Sequence, residues 1–211
     1  MTLAQSERAL LADLFDELGP DQPTRCEGWQ TGDLLAHLLI RERRPDALPG
    51  AYLSFAEAWT DKVAGGYKAM PWHQAVQLYR SGAPVWNPTR YGPIDAAANG
   101  AEMFIHHEDV RRGQPEWQPR EFDAETTAGF EKMLESVYVR RSVGKAGVGV
   151  TAALPDGRQI VLSKGEPTVV VSGDPGEVLI WSSGRPAARV ELTGSQQGIE
   201  ALEGAGLRVG A

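Results

Sequence analysis

The sequence predicts an α+β chain, with a four-helix bundle over residues 1–143 and a small mixed strand-and-helix domain over 148–211. Three observations carry this reading. Long segments of the first part repeat apolar residues at helical spacing. Short Val/Ile/Leu runs in the second part are separated by Pro-Asp-Gly and Asp-Pro-Gly turns. All four histidines and five of the six tryptophans precede residue 144, where glycine becomes denser.

Leu3, Leu10, Leu11, Leu14, Phe15 and Leu18 form the stripe of a first helix, with Thr2 and Gln5 as a capping box and Gly19-Pro20 as its stop. Thr31 is the expected N-cap of a second helix, whose apolar face is Leu34, Leu35, Leu38 and Leu39 and which ends before Pro45. A third helix fits 50–68, turning Leu53, Ala56, Thr60 and Val63 inward, and a short one runs from Pro71 to Arg80. The Pro- and Gly-rich GAPVWNPTRYGP is a loop, after which Asp95 caps a helix over 96–112. One last helix over 123–141 repeats Phe130, Met133, Leu134, Val137 and Tyr138. Four long amphipathic helices pack naturally as a bundle. Beyond them, 148–154 and 158–163 form a hairpin, 167–173, 177–182 and 189–193 are further strands, and 195–203 is a closing helix.

Composition narrows the function classes. The 211 residues carry 21 Lys and Arg against 28 Asp and Glu, a net charge of −7, which argues against binding nucleic acid through its phosphates. No apolar run approaches the ~20 residues of a membrane span, so no membrane partner is expected. The opening MTLAQSERALLADL has neither a basic stretch nor a cleavage site, and Cys26 is the single cysteine, so a cytoplasmic protein is expected.

The chemistry-bearing residues lie on two of the helices. In EMFIHHEDVRR, Glu102, His106 and Asp109 stand at i, i+4 and i+7 on one face, with His107 and Glu108 rotated away. His37 sits at the edge of the apolar stripe of the second helix. Two imidazoles and a carboxylate pointing into a bundle core make a three-donor metal site with open positions. The same spacing also suits a solvated face with local hydrogen bonds. Asp109 fits better as the acceptor that orients His106 than as a ligand. His107 reads as a surface or partly packed histidine, His73 as exposed, and Cys26 as a small packed residue in a loop.

The segments CEGWQTGDLLAHLLIRERRPD and NGAEMFIHHEDVRRGQPEW together resemble the DinB-type superfamily, in particular its mycothiol-dependent maleylpyruvate isomerase-like branch. VSGDPGEVLIWSSGRPAARVELTG resembles the small sterol-carrier-like domain that follows the bundle in many members. The resemblance implies a metal held by His37, Glu102 and His106, the three residues that helix geometry selects. Zinc is the first expectation, with nickel, manganese and iron also accepted by such donors. It further implies a metal-dependent enzyme that binds a low-molecular-weight thiol such as mycothiol and adds it to a small electrophilic substrate, giving isomerisation or thiol transfer. The alternatives are a metal-dependent hydrolase on the same site and a non-catalytic metal- and ligand-binding protein, in which Cys26, His107 or Asp109 would close the metal shell. A homodimer is left open. The family's second helix often begins Thr-x-Arg-Asp-Leu, whereas this chain has Thr31-Gly32-Asp33-Leu34, without the arginine. Lacking His and Cys, the C-terminal part is expected to supply no ligand.

Overall fold

The helix at Leu3–Leu18 (α1) begins at the capping box foreseen for it, with Thr2 Oγ1 accepting from the Gln5 N–H and Gln5 Oε1 accepting from the Thr2 N–H. It ends at Gly19, whose φ of 79° would strain any residue with a Cβ. In the computed structural model, which describes residues 1–51 and 53–207, there follow α2 (Thr31–Arg43), a 3-10 segment at Pro45–Ala51, α3 (Ser54–Lys68), α4 (Trp72–Arg80) and α5 (Gly92–Arg111). Then come α6 (Ala124–Leu134), α7 (Val137–Gly144), β1 (Gly149–Ala153), β2 (Gln159–Ser163), β3 (Thr168–Ser172), α8 (Pro175–Ser182), β4 (Glu191–Gly194) and α9 (Gln196–Gly204). The fold is mixed α/β. No helix among the described residues is long and apolar enough to cross a membrane.

The chain divides into two compact units, Met1–Trp117 and the residues from Gln118 onward. In the first, α1, α2, α4 and α5 bury Leu11, Phe15, Leu34, Leu35, Leu38, Leu39, Val76, Tyr79, Met103 and Val110 in one core. Phe15 is its aromatic hinge, meeting Trp72 and Tyr79 edge-to-face. A smaller cluster of Ile40, Ala47 and Val63 joins α2 to α3 and the 3-10 segment before it. The helix α5 is buried almost all round, from Glu102 to Val110. Its polar residues are therefore interior groups that need partners.

The second unit holds a four-stranded sheet in the order β2-β1-β3-β4. The outer pairs are antiparallel, and β1 runs parallel to β3. Val150, Ala152, Leu162, Val169 and Val171 are buried on the sheet, as are Val178, Leu179 and Ile180 on α8.

Several elements depart from the sequence expectation. The boundary drawn at residue 143 lies at Trp117–Gln118, because α6 and α7 pack with α8 and β2 of the second unit. The single helix expected over 123–141 is two. Ser136 breaks the run and caps α7 by accepting from the Val139 N–H. That break leaves Phe130 and Leu134 buried but turns Val137 and Tyr138 out to solvent. The strand expected at 177–182 is the helix α8. Its apolar run VLIW is too short for periodicity to separate the two, and Pro175 supplies a preset first helical turn. The third helix starts only at Ser54, after the 3-10 segment, with Leu53 exposed. Within the helix expected over 50–68 and the domain expected over 148–211, Tyr52 and 208–211 lie outside the described residues. Gln30, not Thr31, caps α2. Asp95 is no cap: it lies inside the first turn of α5, paired with Arg8.

Candidate metal centre

His37 comes from α2, and Glu102 and His106 come from α5; all three side chains meet in the first unit. Glu102 and His106 are one helical turn apart, so their heads project from one face, and His106 Nε2 lies 3.3 Å from Glu102 Oε1. His37 approaches from the facing helix with Nε2 at 3.7 Å from the same oxygen, and its ring meets that of His106 at 5.4 Å and 71°. Nitrogen, nitrogen and oxygen donors thus converge within 4.8 Å.

The convergence leaves hydrogen-bonding capacity unused. His37 Nε2 and Glu102 Oε1 are both buried and make no hydrogen bond among the described residues. Around Glu102 Oε1, His106 Nε2, Arg41 Nη1 and His37 Nε2 stand at 3.3, 3.6 and 3.7 Å without bonding to it. Buried polar atoms left in this way are costly, typically ~1–3 kcal/mol each, and call for a physical explanation. Tetrahedral zinc bonds of about 2.0–2.2 Å to nitrogen and oxygen put neighbouring donors about 3.3–3.6 Å apart. The donor set and its spacing therefore fit a divalent metal ion.

The other ring nitrogen of His106 is fixed as the spacing predicts. His106 Nδ1 is 3.0 Å from Asp109 Oδ2, an acceptor that keeps a proton on Nδ1, so that loss of the other ring proton would expose the Nε2 lone pair toward Glu102 and His37. Cys26 joins on this same side, its thiol donating to Asp109 Oδ2 at 3.2 Å. Neither Asp109 nor Cys26 closes the shell on the Nε2 side. His107 points elsewhere: it is buried and holds Glu7 Oε2 on α1 at 2.7 Å, so the expectation of a surface or partly packed histidine is corrected to a core pair. His73 is exposed beside Asp16, as anticipated.

Electrostatics set the charge of the metal-free cluster. Burial disfavours a charged His106, but its hydrogen bond to Asp109, the adjacent Cys26 thiol and the nearby Glu102 carboxylate overcome this and hold its pKa well above the ordinary imidazole value. Burial alone would raise Glu102, yet the His106 and His37 imidazoles hold it well below the usual carboxylate value. For His37 burial wins, and its pKa is lowered.

Two residues at the site escaped the sequence reading. Arg41, one turn beyond His37 on α2, supplies positive charge beside Glu102 and is steadied by Ala98 O and Asn99 Oδ1. The i, i+4 spacing from His37 was the signal for it. Trp29, in the loop before α2, has its ring 5.2 Å from that of His37 and is 37% exposed. Comparison with protein-family models, with curated proteins and with solved structures finds no match to this chain.

Proposed function

We propose that the protein is a metal-dependent enzyme in which His37, Glu102 and His106 hold a divalent ion, zinc in the first instance, and a low-molecular-weight thiol such as mycothiol is added to a small electrophilic molecule. The reading is supported above all by the two buried, unbonded donors, His37 Nε2 and Glu102 Oε1, facing His106 Nε2. A bound divalent ion would supply a thiolate at neutral pH by lowering the pKa of a ligating thiol. The chain's own residues do the rest. Asp109 holds His106 in the tautomer that offers Nε2, Arg41 offsets the charge of Glu102, and Trp29 presents an apolar wall beside His37. Three donors, with no fourth protein ligand on the Nε2 side among the described residues, favour an open, catalytic site over a closed structural one. Within the same reading, the helices of the first unit form a DinB-type bundle and the second unit is a sterol-carrier-like domain.

The test is metal analysis of protein purified without a histidine tag, followed by titration of the same sample with mycothiol. At least one equivalent of zinc, with one equivalent lost in His37→Ala and in Glu102→Ala, and a thiol that binds only the loaded protein, is the expected result. Protein that takes up no ion overturns the proposal. Protein that takes up the ion but no thiol returns the site to the hydrolase or non-catalytic alternative.

A further inference from the structure

The only cysteine is clamped onto the last turn of α5 by a loop with little freedom. The Arg25 N–H donates to Asp109 O at 2.9 Å, Arg25 Nε donates to Arg112 O at 2.6 Å, and Gln114 Nε2 donates to Pro23 O at 3.1 Å. The loop lies so close to the helix that a Cβ at Gly113 would fall 2.3 Å from Pro23 O, so only glycine fits there. Thr24 Oγ1 accepts from the Cys26 N–H at 3.1 Å, fixing the backbone that carries the thiol. These attachments place Cys26 Sγ 3.2 Å from Asp109 Oδ2 and 3.8 Å from His106 Nδ1, while Nδ1 and Oδ2 are 3.0 Å apart.

Sulfur, nitrogen and oxygen donors thus form a second triangle on the opposite nitrogen of the His106 ring. Bonds of about 2.0–2.3 Å in a tetrahedral arrangement put donors about 3.3–3.8 Å apart, close to these edges. The two carboxylates serve different triangles, and His106 is the shared member. His106 and Asp109 are buried, whereas Cys26 is half-buried, so the thiol is the most accessible member of the triangle.

We infer that Cys26 Sγ, His106 Nδ1 and Asp109 Oδ2 form a second metal position, selective for thiophilic ions such as zinc or cadmium and joined through the His106 ring to the position formed by His37, Glu102 and His106. Ligand chemistry sets the selectivity, because the thiolate is the soft donor that the first position lacks. An ion binding here displaces two protons to solvent, one from the Cys26 thiol and one from His106 Nδ1, and forms one metal–sulfur and one metal–nitrogen bond in their place. With both positions filled, the Nε2 proton of His106 would also be lost to solvent, on binding of the ion at the first position, and the ring would carry no proton. The inference builds on the metal reading of the first position, and its test separates the two.

Metal-free, tag-free full-length protein is titrated with cadmium chloride. Stoichiometry is read by native mass spectrometry and thiolate ligation by the ultraviolet sulfur-to-metal charge-transfer band. Two ions per chain are expected in the wild type. Cys26→Ser should lose one ion together with the band, and His37→Ala should lose one ion and keep the band. Far-ultraviolet circular dichroism confirms that each variant is folded. Two ions with no band, or two ions retained in Cys26→Ser, overturn the second position and leave the first intact. A band retained in a wild type that binds a single ion, unaffected by His37→Ala, overturns the first position while upholding the second. One ion whose band both substitutions abolish shows a single mixed site and overturns the inference.

Discussion

Two buried clusters of charge lie in the same unit, and they handle their polar atoms differently. In one, the Arg8 guanidinium on α1 bonds Glu42 Oε1 on α2 at 2.5 Å and grips both Asp95 oxygens on α5 at 3.0 and 3.2 Å. Asn99 Nδ2 adds a further bond to Asp95 Oδ1 at 2.8 Å. Burial lifts the Glu42 carboxyl above its usual range despite the Arg8 charge, and its Oε2 lacks a hydrogen bond, but the guanidinium lies against the same group. In the other, His37, Glu102 and His106 converge on a point where no side chain among the described residues completes the bonding. The first cluster carries its own cation and ties three helices together. The second holds none of its own and has donors that could take one. A buried charged group is thus read by what its partners leave unsatisfied, and burial alone does not separate scaffold from site.

Substitution separates the clusters, and the largest effects are expected at their centres. His106→Ala should bring metal content to background, and His37→Ala and Glu102→Ala should each lose the ion held by the first position, in protein that still melts cooperatively, as measured by mass spectrometry on folded samples. Arg8→Met should do the reverse. Removing the cation from between two buried carboxylates should cost about 3–5 kcal/mol of unfolding free energy in urea titrations while leaving metal stoichiometry unchanged. If Arg8→Met empties the metal site, the clusters are one network and the comparison fails.

Smaller effects sharpen it. Asp109→Ala should weaken metal affinity by about 10–100-fold, because His106 loses the acceptor that fixes its tautomer. The pH profile of affinity carries its own sign. A proton and an ion compete for His106, whose pKa is held up by its partners, so affinity should rise with pH through that raised value and level off above it. His37, lowered by burial, adds a second loss only at more acidic pH. Asp109→Asn should move the midpoint of the profile down, since Asp109 is the foremost partner holding His106 up. His107→Ala should cost about 1–3 kcal/mol of stability by taking a buried partner from Glu7, with metal content untouched. His73→Ala should change neither quantity.

What was legible in the sequence follows from how local each feature is. Glu102, His106 and Asp109 lie within two turns of one helix, so their common face could be read from spacing. His37 was reachable because it borders a leucine stripe. The partnership of Arg8, Glu42 and Asp95 was not, because its members sit on three helices and no local pattern connects α1 to α5. Asp95 in particular matched a capping residue in type and place. The helix α8 and the break at Ser136 show the other limit. A short apolar run and a lone serine carry too little periodic information to outweigh what their neighbours in the fold impose.

Because His37 and the Glu102–His106 pair come from helices far apart in the chain, the three donors are neighbours only after α2 and α5 have packed. An unfolded chain offers no such trio, so every ion captured there draws the population toward the native state. At a free-ion concentration about 100-fold above the dissociation constant this amounts to about 2.7 kcal/mol, comparable with a large core substitution. Metal supply would then act as a thermodynamic rheostat on how much of this protein stays folded.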